Sequence, residues 1–374
     1  MGQGWGHNPF FFGGAADRRT HVPNPCYLAA MDAASRPQTG QKPYANRPKT
    51  GDAGARALSP APLLAVLDLG TNNCRLLIAS PSKGGFRVTD SFSRIVRLGE
   101  GVGQTGLLSD AALDRTVAAL KICAERIAKH DVRHVRVIAT QAARLARNAD
   151  VLVARARSEA GLDLKVISAE EEAGLAASGC APLMGRKYKG ALVFDIGGGS
   201  TEIIWLAKSP QGPKTRLTAS VPVGVVSLAE EYGPVSSTRE GFERMREDLI
   251  KRFAPYAETM GGGFDVRKNH LLGTSGTVTT LAAIALKLPR YNRTRVDGSW
   301  HETRHMLNVV QRLAGMDVAA LAGIGSIGTE RADLMLPGCA IFSAICSLWP
   351  SPVLRVADRG LREGMLRQLS QDIA

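Results

Sequence analysis

The chain has 374 residues, of which 44% are hydrophobic and 22% are charged, and its formal net charge is +13. These values are typical of a soluble globular protein with two domains of ordinary size, and the excess of base favours a polyanionic partner such as nucleic acid, anionic lipid or a phosphate-rich small molecule. The sequence also excludes a membrane-spanning chain, because no apolar run reaches the roughly 18 residues that a span needs. The N-terminus lacks the regions of a signal peptide, so we expect a cytoplasmic protein.

Residues 1–60 differ in composition from the rest of the chain. They hold 8 Gly and 7 Pro, few aliphatic side chains and no sustained periodicity. We expect a disordered basic tail here, within which Met31 is a candidate for the true first residue.

From Pro62 onward, strand-like and helix-like segments alternate along the chain. Short apolar runs that end in turns predict strands at 63–70, 75–79, 84–100 and 135–140, and at the starts of 165–179, 191–199, 217–233 and 270–285. Helical periodicity predicts helices over 109–130, 141–161 and 238–260, in the second parts of 165–179 and 270–285, and over a C-terminal remainder that ends with 354–371. Ser109 is a candidate N-cap and Gly161 a candidate C-terminal stop. This alternation predicts an α/β fold.

The six cysteines show neither a C-x-x-C pair nor the spacing of a zinc site. Several lie in apolar surroundings, such as Cys346 in the stretch AIFSAICSLW. We therefore expect reduced core residues in a reducing compartment.

One short pattern occurs twice. Residues 66–70 and 193–197 are apolar runs that end in Asp-apolar-Gly, and each is followed by five residues and a returning apolar pair. The two copies are 127 residues apart, counted from Asp68 to Asp195. The repeat predicts two related α/β domains that each open with the same hairpin.

These hairpins suit a phosphate ligand. Glycine in the bends permits φ > 0 and a close backbone approach, and successive N–H groups in such turns form anion-binding concavities. Asp68 and Asp195 would repel phosphate, but they suit Mg²⁺ or its bound waters. The alternative is a pair of tight hairpins whose aspartates cap the backbone. The spacing excludes a P-loop, and GGGSTE does not fit the dinucleotide-binding pattern G-x-G-x-x-G.

The order of the motifs resembles that of a known family. The motifs are LDLGTNNCRLLIA (67–79), RLGEGV (97–102), ATQAARLARNA (139–149), ISAEEEAG (167–174), FDIGGGSTEI (194–203), VPVGVVSLAEEYG (221–233), GTSGTVTTLAA (273–283), ERADLMLPGCAI (330–341) and LREG (361–364). Together they resemble the exopolyphosphatase/guanosine pentaphosphate phosphohydrolase (Ppx/GppA) family of the actin/sugar-kinase superfamily, over roughly 62–374.

The resemblance implies two actin-like (ribonuclease-H-like) domains with an interdomain cleft. We expect domain I over 61–170, completed by a C-terminal helix at 355–374, and domain II over 171–354. The chain looks like a short form without the family's C-terminal HD-type domain, and the family suggests a homodimer.

The resemblance also implies roles for individual residues. Glu172 matches the family's catalytic glutamate, which positions the attacking water, and Glu202 is the second carboxylate. The expected metal ligands for Mg²⁺ are Asp68 and Asp195. The expected phosphate-binding residues are Thr71, Asn73, Arg144, Gly197, Gly198, Gly199, Ser200 and Thr201.

Four features have plainer alternatives. Glu170–Glu172 is also typical of a charged first turn of a helix that the helix dipole stabilises. Arg144 suits a phosphate but is also typical of a solvated helix. The turn at 273–277 either presents N–H groups at a helix N-terminus or serves packing alone. Arg186, Lys187 and Lys189 either guide the distal part of a polyanion or form a solvated loop.

The implied function is Mg²⁺-dependent hydrolysis of the terminal phosphoanhydride of inorganic polyphosphate or of guanosine pentaphosphate (pppGpp). Two alternatives stay open: a superfamily kinase that phosphorylates a small acceptor, and a non-catalytic protein that binds polyphosphate or (p)ppGpp. We expect neither a nucleic-acid partner nor a membrane.

Overall fold

The structure is a computed structural model that describes residues 61–261 and 264–373. The predicted tail at 1–60 and the candidate start at Met31 lie outside the described residues. Two sheets form the framework of the described part, and both belong to one compact unit.

The first sheet contains five strands in the spatial order β3-β2-β1-β4-β5. In chain order they are β1 (Leu64–Leu69), β2 (Asn73–Ser82), β3 (Gly85–Ile95), β4 (His134–Ala139) and β5 (Leu164–Val166). β1 and β2 form an antiparallel hairpin, and β4 runs parallel to β1.

The second sheet contains six strands in the order β10-β11-β9-β6-β7-β8. They are β6 (Gly190–Ile196), β7 (Thr201–Ser209), β8 (Gly212–Val221), β9 (Asn269–Thr274), β10 (Trp300–Glu302) and β11 (Val353–Ala357). Again an antiparallel hairpin, here β6–β7, lies beside a parallel strand, β9.

The predicted duplication is present in the register of the two hairpins. Asp68 pairs with Arg75 across the first hairpin, and Asp195 pairs with Glu202 across the second. Even the irregularities match, because β2 and β3 shift register after Ile78, and β7 and β8 shift after Trp205, again 127 residues later. The two sheets and the cleft between them confirm the predicted fold class.

Thirteen helices pack on these sheets within the described residues. They are α1 (Val102–Thr105), α2 (Asp110–Lys129), α3 (Gln141–Leu145), α4 (Ala149–Ala160), α5 (Ala169–Cys180), α6 (Val225–Tyr232), α7 (Arg239–Met260), α8 (Gly276–Ala285), α9 (Arg293–Val296), α10 (Thr303–Ala314), α11 (Val318–Ala322), α12 (Ala332–Leu348) and α13 (Leu361–Asp372). The predicted caps are confirmed: the Ser109 hydroxyl accepts from the Ala112 N–H, and Gly161 ends α4 in the left-handed region.

Two predicted helices are wrong in part. The helix expected over 141–161 is two helices, because Ala146 is extended and its buried side chain packs in the core between them. The C-terminal helix begins at Leu361, not at 355, because Val353–Ala357 is strand β11, buried beside β9 in the second sheet.

Helices α5 and α13 cross at backbone contact. A Cβ atom on Gly179 would lie 1.9 Å from the Gly360 carbonyl oxygen, and one on Gly364 would lie 1.9 Å from the Leu175 carbonyl oxygen. Met365 and Leu366 of α13 share a buried cluster with β1 of the first sheet. The chain therefore returns to the first sheet at its end, and the domain boundaries themselves stay a prediction.

Five cysteines fall within the described residues, and all five are buried free thiols, as predicted. Cys26 lies outside the described residues. Among the helices of the described part, none is long and apolar enough to cross a bilayer. The cytoplasmic location and the homodimer stay predictions.

Candidate active site

The two hairpins meet at a cavity of about 550 Å³. Its acidic lining residues are Asp68, Glu172, Asp195, Glu202, Asp358 and Glu363, and its basic ones are Arg75, Arg293, Arg331, Arg359 and Arg362. Both bends also line it, with Gly70–Asn73 on one side and Gly197–Ser200 on the other. Most of the predicted site residues are therefore brought together here.

The glycines of the second bend let the two hairpins touch. A Cβ atom on Gly198 would lie 2.9 Å from Thr71 Cβ and 3.3 Å from the Asn72 backbone nitrogen, and one on Gly199 would lie 2.9 Å from Thr71 Oγ1. Neither these glycines nor Gly70 and Gly197 have a positive φ, so the expectation of left-handed bends is wrong. These bends need glycine because two backbones approach each other closely.

The carbonyl groups of the second bend are fixed by hydrogen bonds from α6. The Gly197 and Gly198 carbonyls accept hydrogen bonds from Val225 and Val226 in the first turn of α6. In a trans peptide the N–H points opposite to the C=O, so the N–H groups of Gly198 and Gly199 turn away from α6. Those two N–H groups find no acceptor among the described residues.

The carbonyl groups of the first bend are also held by hydrogen bonds from a neighbouring segment. The Thr71 carbonyl accepts from Gly99, and the Asn72 carbonyl accepts from Val96 and Arg97. The side-chain oxygen of Asn72 is buried without a partner in the described part of the chain, as is that of Asn73. The two bends together form a polar cradle: the free N–H groups of the second bend are donors, which suit phosphate, and the unpartnered amide oxygens of the first bend are acceptors, which suit a metal-bound water.

Three residues that were predicted to bind phosphate make other contacts within the described part of the chain. The Gly197 N–H closes the hairpin by donating to the Ser200 carbonyl at 2.9 Å, so it is not free. Thr201 is fully buried and its hydroxyl donates to the Val223 carbonyl at 2.6 Å, because it faces the core side of β7. Arg144 is absent from the cavity lining and lies behind Glu172.

Only one acid of the Glu170–Glu172 triplet faces the cavity, as their angular spacing on a helix requires. Glu170 is exposed, and Glu171 pairs with Arg136 at 2.7 Å. Burial raises the pKa of Glu172 to about 7, although Arg144 opposes this shift. Arg144 Nη1 lies 2.7 Å from Glu172 Oε2, while its other nitrogens donate to Gln141.

Glu202 is the most deeply buried acid of the cavity, with 2% of its surface exposed. Its Oε1 accepts hydrogen bonds from the hydroxyls of Ser200 at 2.7 Å and Ser220 at 3.0 Å. Burial raises the pKa of Glu202 well above its ordinary value, and the nearby Glu172 carboxylate adds to this shift.

Asp68 and Asp195 occupy equivalent positions in the two hairpins, and both line the cavity. Neither carboxylate has a hydrogen-bond or ion-pair partner in 61–261 or 264–373. Burial raises the pKa of both, to about 6 for Asp195, and Arg75 is the charge that most opposes this in each case.

The donor set suits Mg²⁺. Within the described residues, no three His, Cys, Asp or Glu side chains lie close enough together to enclose a metal ion by themselves. Magnesium, however, usually keeps several waters and binds through one or two carboxylates and the phosphates of a substrate. Two unpartnered carboxylates beside a phosphate cradle meet this requirement.

Two arginines that sequence reasoning did not single out converge at the N-terminus of α8. A Cβ atom on Gly276 would lie 3.9 Å from Arg331 Nη1 and 4.0 Å from Arg75 Nη2. Neither guanidinium makes a hydrogen bond or ion pair with any residue that the structure describes. The repeat could have identified Arg75, because it occupies the position that Glu202 has in the second copy. No local signal marks Arg331.

Of the remaining candidates, some line the cavity and the others serve packing or are exposed. In the turn at 273–277, Gly273 serves packing, because its Cβ would lie 2.5 Å from a Phe194 ring carbon, whereas Gly276 and Thr277 line the cavity. Ser275, the N-cap of α8, has a φ of 114°. Arg186, Lys187 and Lys189 are exposed and are not part of the cavity lining.

Comparison with known proteins gives consistent matches. The profile of the Ppx/GppA phosphatase family matches residues 77–372. The chain is 32% identical over 288 residues to "Exopolyphosphatase 2" of Mycobacterium tuberculosis, covering 74% of this chain and 88% of the relative. It is 29% identical over 320 residues to a "Putative exopolyphosphatase" of Haemophilus influenzae, covering 83% and 92%. A crystal structure of the Aquifex aeolicus Ppx/GppA family member superposes with a TM-score of 0.69 at 29% identity, covering 84% of this chain and 98% of that one.

Proposed function

The chain belongs to the Ppx/GppA phosphatase family, and on this premise we propose that it is an exopolyphosphatase that removes the terminal phosphate of inorganic polyphosphate with the help of Mg²⁺. Two relatives that match most of the chain carry the name exopolyphosphatase. The observation that carries the proposal is the position of Glu172, whose side chain is only 12% exposed, inside a cavity whose second bend offers free N–H groups.

Glu172 is the proposed general base. A pKa of about 7 lets a carboxylate accept a proton from water near neutral pH. Arg144 holds Oε2 of Glu172 at 2.7 Å, which leaves Oε1 to orient the attacking water. Glu202, held by two serine hydroxyls, lies close enough to Glu172 for the charge of Glu172 to raise its pKa.

The phosphate is proposed to lie in the cradle of the two bends. The N–H groups of Gly198 and Gly199 would donate to its oxygens, and Asn73 would add a side-chain amide. Arg75 and Arg331 would neutralise the negative charge that the leaving phosphate acquires. Mg²⁺, held by Asp68 and Asp195, would neutralise phosphate oxygens that those carboxylates otherwise repel.

We propose pppGpp as a second substrate with the same terminal anhydride. The cavity is also lined by Ile327, Leu334 and Met335, of which Leu334 is partly exposed and the other two belong to the core. Leu334 would offer a nucleoside an apolar contact that an inorganic chain could not use.

The test is orthophosphate release by the purified full chain, with Mg²⁺, from pppGpp and from polyphosphates of defined length. We expect release from at least one of them, its loss in EDTA, and a decrease of about 10²–10⁴-fold in kcat for Glu172→Gln. Glu171→Gln is the matched control, since Glu171 is the neighbouring acid outside the cavity, and it should stay within about twofold of the unmodified chain.

Each alternative has its own signature in this assay. A kinase would consume ATP only when a small acceptor is added. A binding protein would retain the polyphosphate without releasing orthophosphate, and Glu172→Gln would then change nothing.

A further inference from the structure

The motif LREG at 361–364 has no role in the function proposed above. It begins α13, the helix that crosses α5 at backbone contact. Arg362 of this motif lines the same cavity as Glu172 and Asp68. Among the described residues, its guanidinium has no hydrogen-bond acceptor and no ion-pair partner.

This position is unfavourable for a cation that serves only the fold. Arg362 lies in the first turn of α13, where the helix dipole favours negative charge and disfavours positive charge. Burial is the main cause that lowers the pKa of Arg362. Its neighbour Glu363 opposes this shift only in part, because that carboxylate makes no hydrogen bond to Arg362 and instead accepts from the Gly360 N–H at 2.9 Å and from Arg293 at 2.8 Å.

The charges around Arg362 locate it relative to the reacting centre. The Asp68 carboxylate acts on the pKa of both Glu172 and Arg362, whereas Arg75 and Arg293 are the cations that act most on Arg362. Arg362, Asp68 and Glu172 line one cavity, and Asp68 influences both of the other groups. In an in-line displacement the leaving part of the chain points away from the attacking water, so it extends away from Glu172 within the cavity that Arg362 also lines.

A second cavity of about 350 Å³ adjoins the first. It shares Leu77, Arg293, Arg359 and Glu363 with the first cavity, and Arg367 of α13 lines it as well. The cations Arg293 and Arg359 are already paired with acids. Arg362 and Arg367 are the cations of α13 that have no partner among the described residues, and of these two Arg362 lines the first cavity and Arg367 the second.

We propose that Arg362 binds a phosphate of the leaving polyphosphate chain, beyond the anhydride that is cleaved, and thereby sets a preference for chains long enough to reach it. This inference rests on the proposed exopolyphosphatase activity. It names the substrate class more narrowly: linear polyphosphates that extend from the hairpin cradle past Asp68 toward the second cavity.

The test compares Arg362→Gln with the unmodified chain on polyphosphates of three, four, six and about fifteen phosphates. Loss of one charge-assisted contact should lower kcat/KM about ten- to a hundredfold for the chains that reach Arg362, mainly through KM, and about threefold or less for tripolyphosphate. Arg362→Lys should recover part of the loss. Arg312→Gln, an exposed arginine in the last turn of α10, removes the same charge and should affect every chain length equally.

A second measurement separates ligand binding from a structural role. Because Arg362 is desolvated and opposed to the helix dipole, the melting temperature of ligand-free Arg362→Gln should equal or exceed that of the unmodified chain. The increase in melting temperature produced by hexapolyphosphate in EDTA at pH 6 should shrink in Arg362→Gln but not in Arg312→Gln.

The outcomes are distinct. An equal loss at all chain lengths, or an unchanged length profile, would overturn the role of Arg362 while leaving the exopolyphosphatase proposal intact. A ligand-free variant that melts well below the unmodified chain would show a structural role and also overturn it. If the unmodified chain releases no phosphate from any polymer, the proposed function fails first.

Discussion

At the scale of single residues, the cavity concentrates acids that the fold alone does not need. Asp68 and Asp195 are desolvated without a partner, and Glu202 is buried beside Glu172. Buried carboxylates without compensation cost stability. Such a cluster is typical of a site that is completed by a ligand carrying its own cations or protons.

Arg144 was expected to grip phosphate, and its contact with Glu172 suggests a different role. Its charge opposes the rise in the pKa of Glu172. Without this charge the pKa of Glu172 should be higher. In Arg144→Gln we therefore expect the limb of the kcat profile that rises with pH to move to higher pH, and kcat at pH 7 to fall. KM should change less than kcat, since Arg144 does not line the cavity.

The measurement is the pH dependence of orthophosphate release between pH 5.5 and 9. Arg136→Gln removes the arginine that pairs with the neighbouring Glu171 and serves as the control. An unshifted profile with a large increase in KM would instead support the direct phosphate contact.

Glu202 should make the ligand-free protein less stable as the pH rises. Carboxyl groups whose pKa is raised by folding bind more protons in the native state than in the unfolded state, so the free energy of unfolding falls with increasing pH. For Asp195, with a folded pKa of about 6, and Glu172, with about 7, this loss occurs between roughly pH 4 and pH 8.

Glu202→Gln keeps an oxygen acceptor for Ser200 and Ser220 but cannot ionise. We expect it to raise the free energy of unfolding at pH 8 by on the order of 1–3 kcal/mol and to flatten the pH dependence. Denaturant unfolding at pH 5.5 and 8 would measure this, with Glu125→Gln on the exposed face of α2 as control. A variant that is less stable at pH 8 would contradict it.

At the scale of elements, the sequence predicted what local pattern determines. The hairpins, the alternation of strands and helices, and the caps Ser109 and Gly161 follow from apolar periodicity and turn chemistry, and the structure contains them. Strand β11 was missed because its five residues lie in a buried, helix-like pattern, and its identity depends on pairing with β9, which lies about 80 residues earlier in the chain. The break after α3 was missed for the same reason. Ala146 is extended, and its buried side chain packs in the core between α3 and α4.

The crossing of α5 and α13 leads to a prediction at this scale. Gly179→Ala and Gly364→Ala would each place a methyl group against a backbone carbonyl oxygen of the other helix. We expect each to destabilise the protein by about 2–4 kcal/mol and to lower activity, because α5 carries Glu172 and α13 carries Arg362.

Gly174→Ala is the matched control in the same helix. A Cβ atom there meets nothing within 4 Å, so alanine should stabilise α5 by about 0.5–1 kcal/mol. Thermal unfolding of the three variants measures the difference. If Gly179→Ala and Gly174→Ala behaved alike, the close crossing of the helices would be refuted.

At the scale of the whole molecule, the site depends on contacts that no short motif contains. The aspartates, the glycines and Glu172 could be inferred because each lies in a recognisable pattern. Arg75 and Arg331 meet at Gly276 from three separate parts of the chain, and the free N–H groups of the second bend depend on α6 holding the carbonyls. Such convergence is a property of tertiary packing, which a single sequence does not reveal.

Both sheets contribute to the cavity, so a bound polyanion should stabilise the molecule as one unit, provided that the acids are neutralised. At pH 8 we expect tripolyphosphate to raise the melting temperature of Glu172→Gln, which retains the ligand, only when Mg²⁺ is present. A ligand at a hundred times its Kd contributes about 2.7 kcal/mol to the free energy of unfolding.

At pH 6, near the pKa of Asp195, protons replace part of the metal's effect, and a smaller increase in melting temperature should persist in EDTA. Differential scanning fluorimetry in EDTA and in Mg²⁺ at both pH values measures this, with sodium sulfate at equal ionic strength as control. An equal increase in EDTA at pH 8 would mean that Asp68 and Asp195 do not need a metal to admit phosphate, and the proposed magnesium site would be wrong.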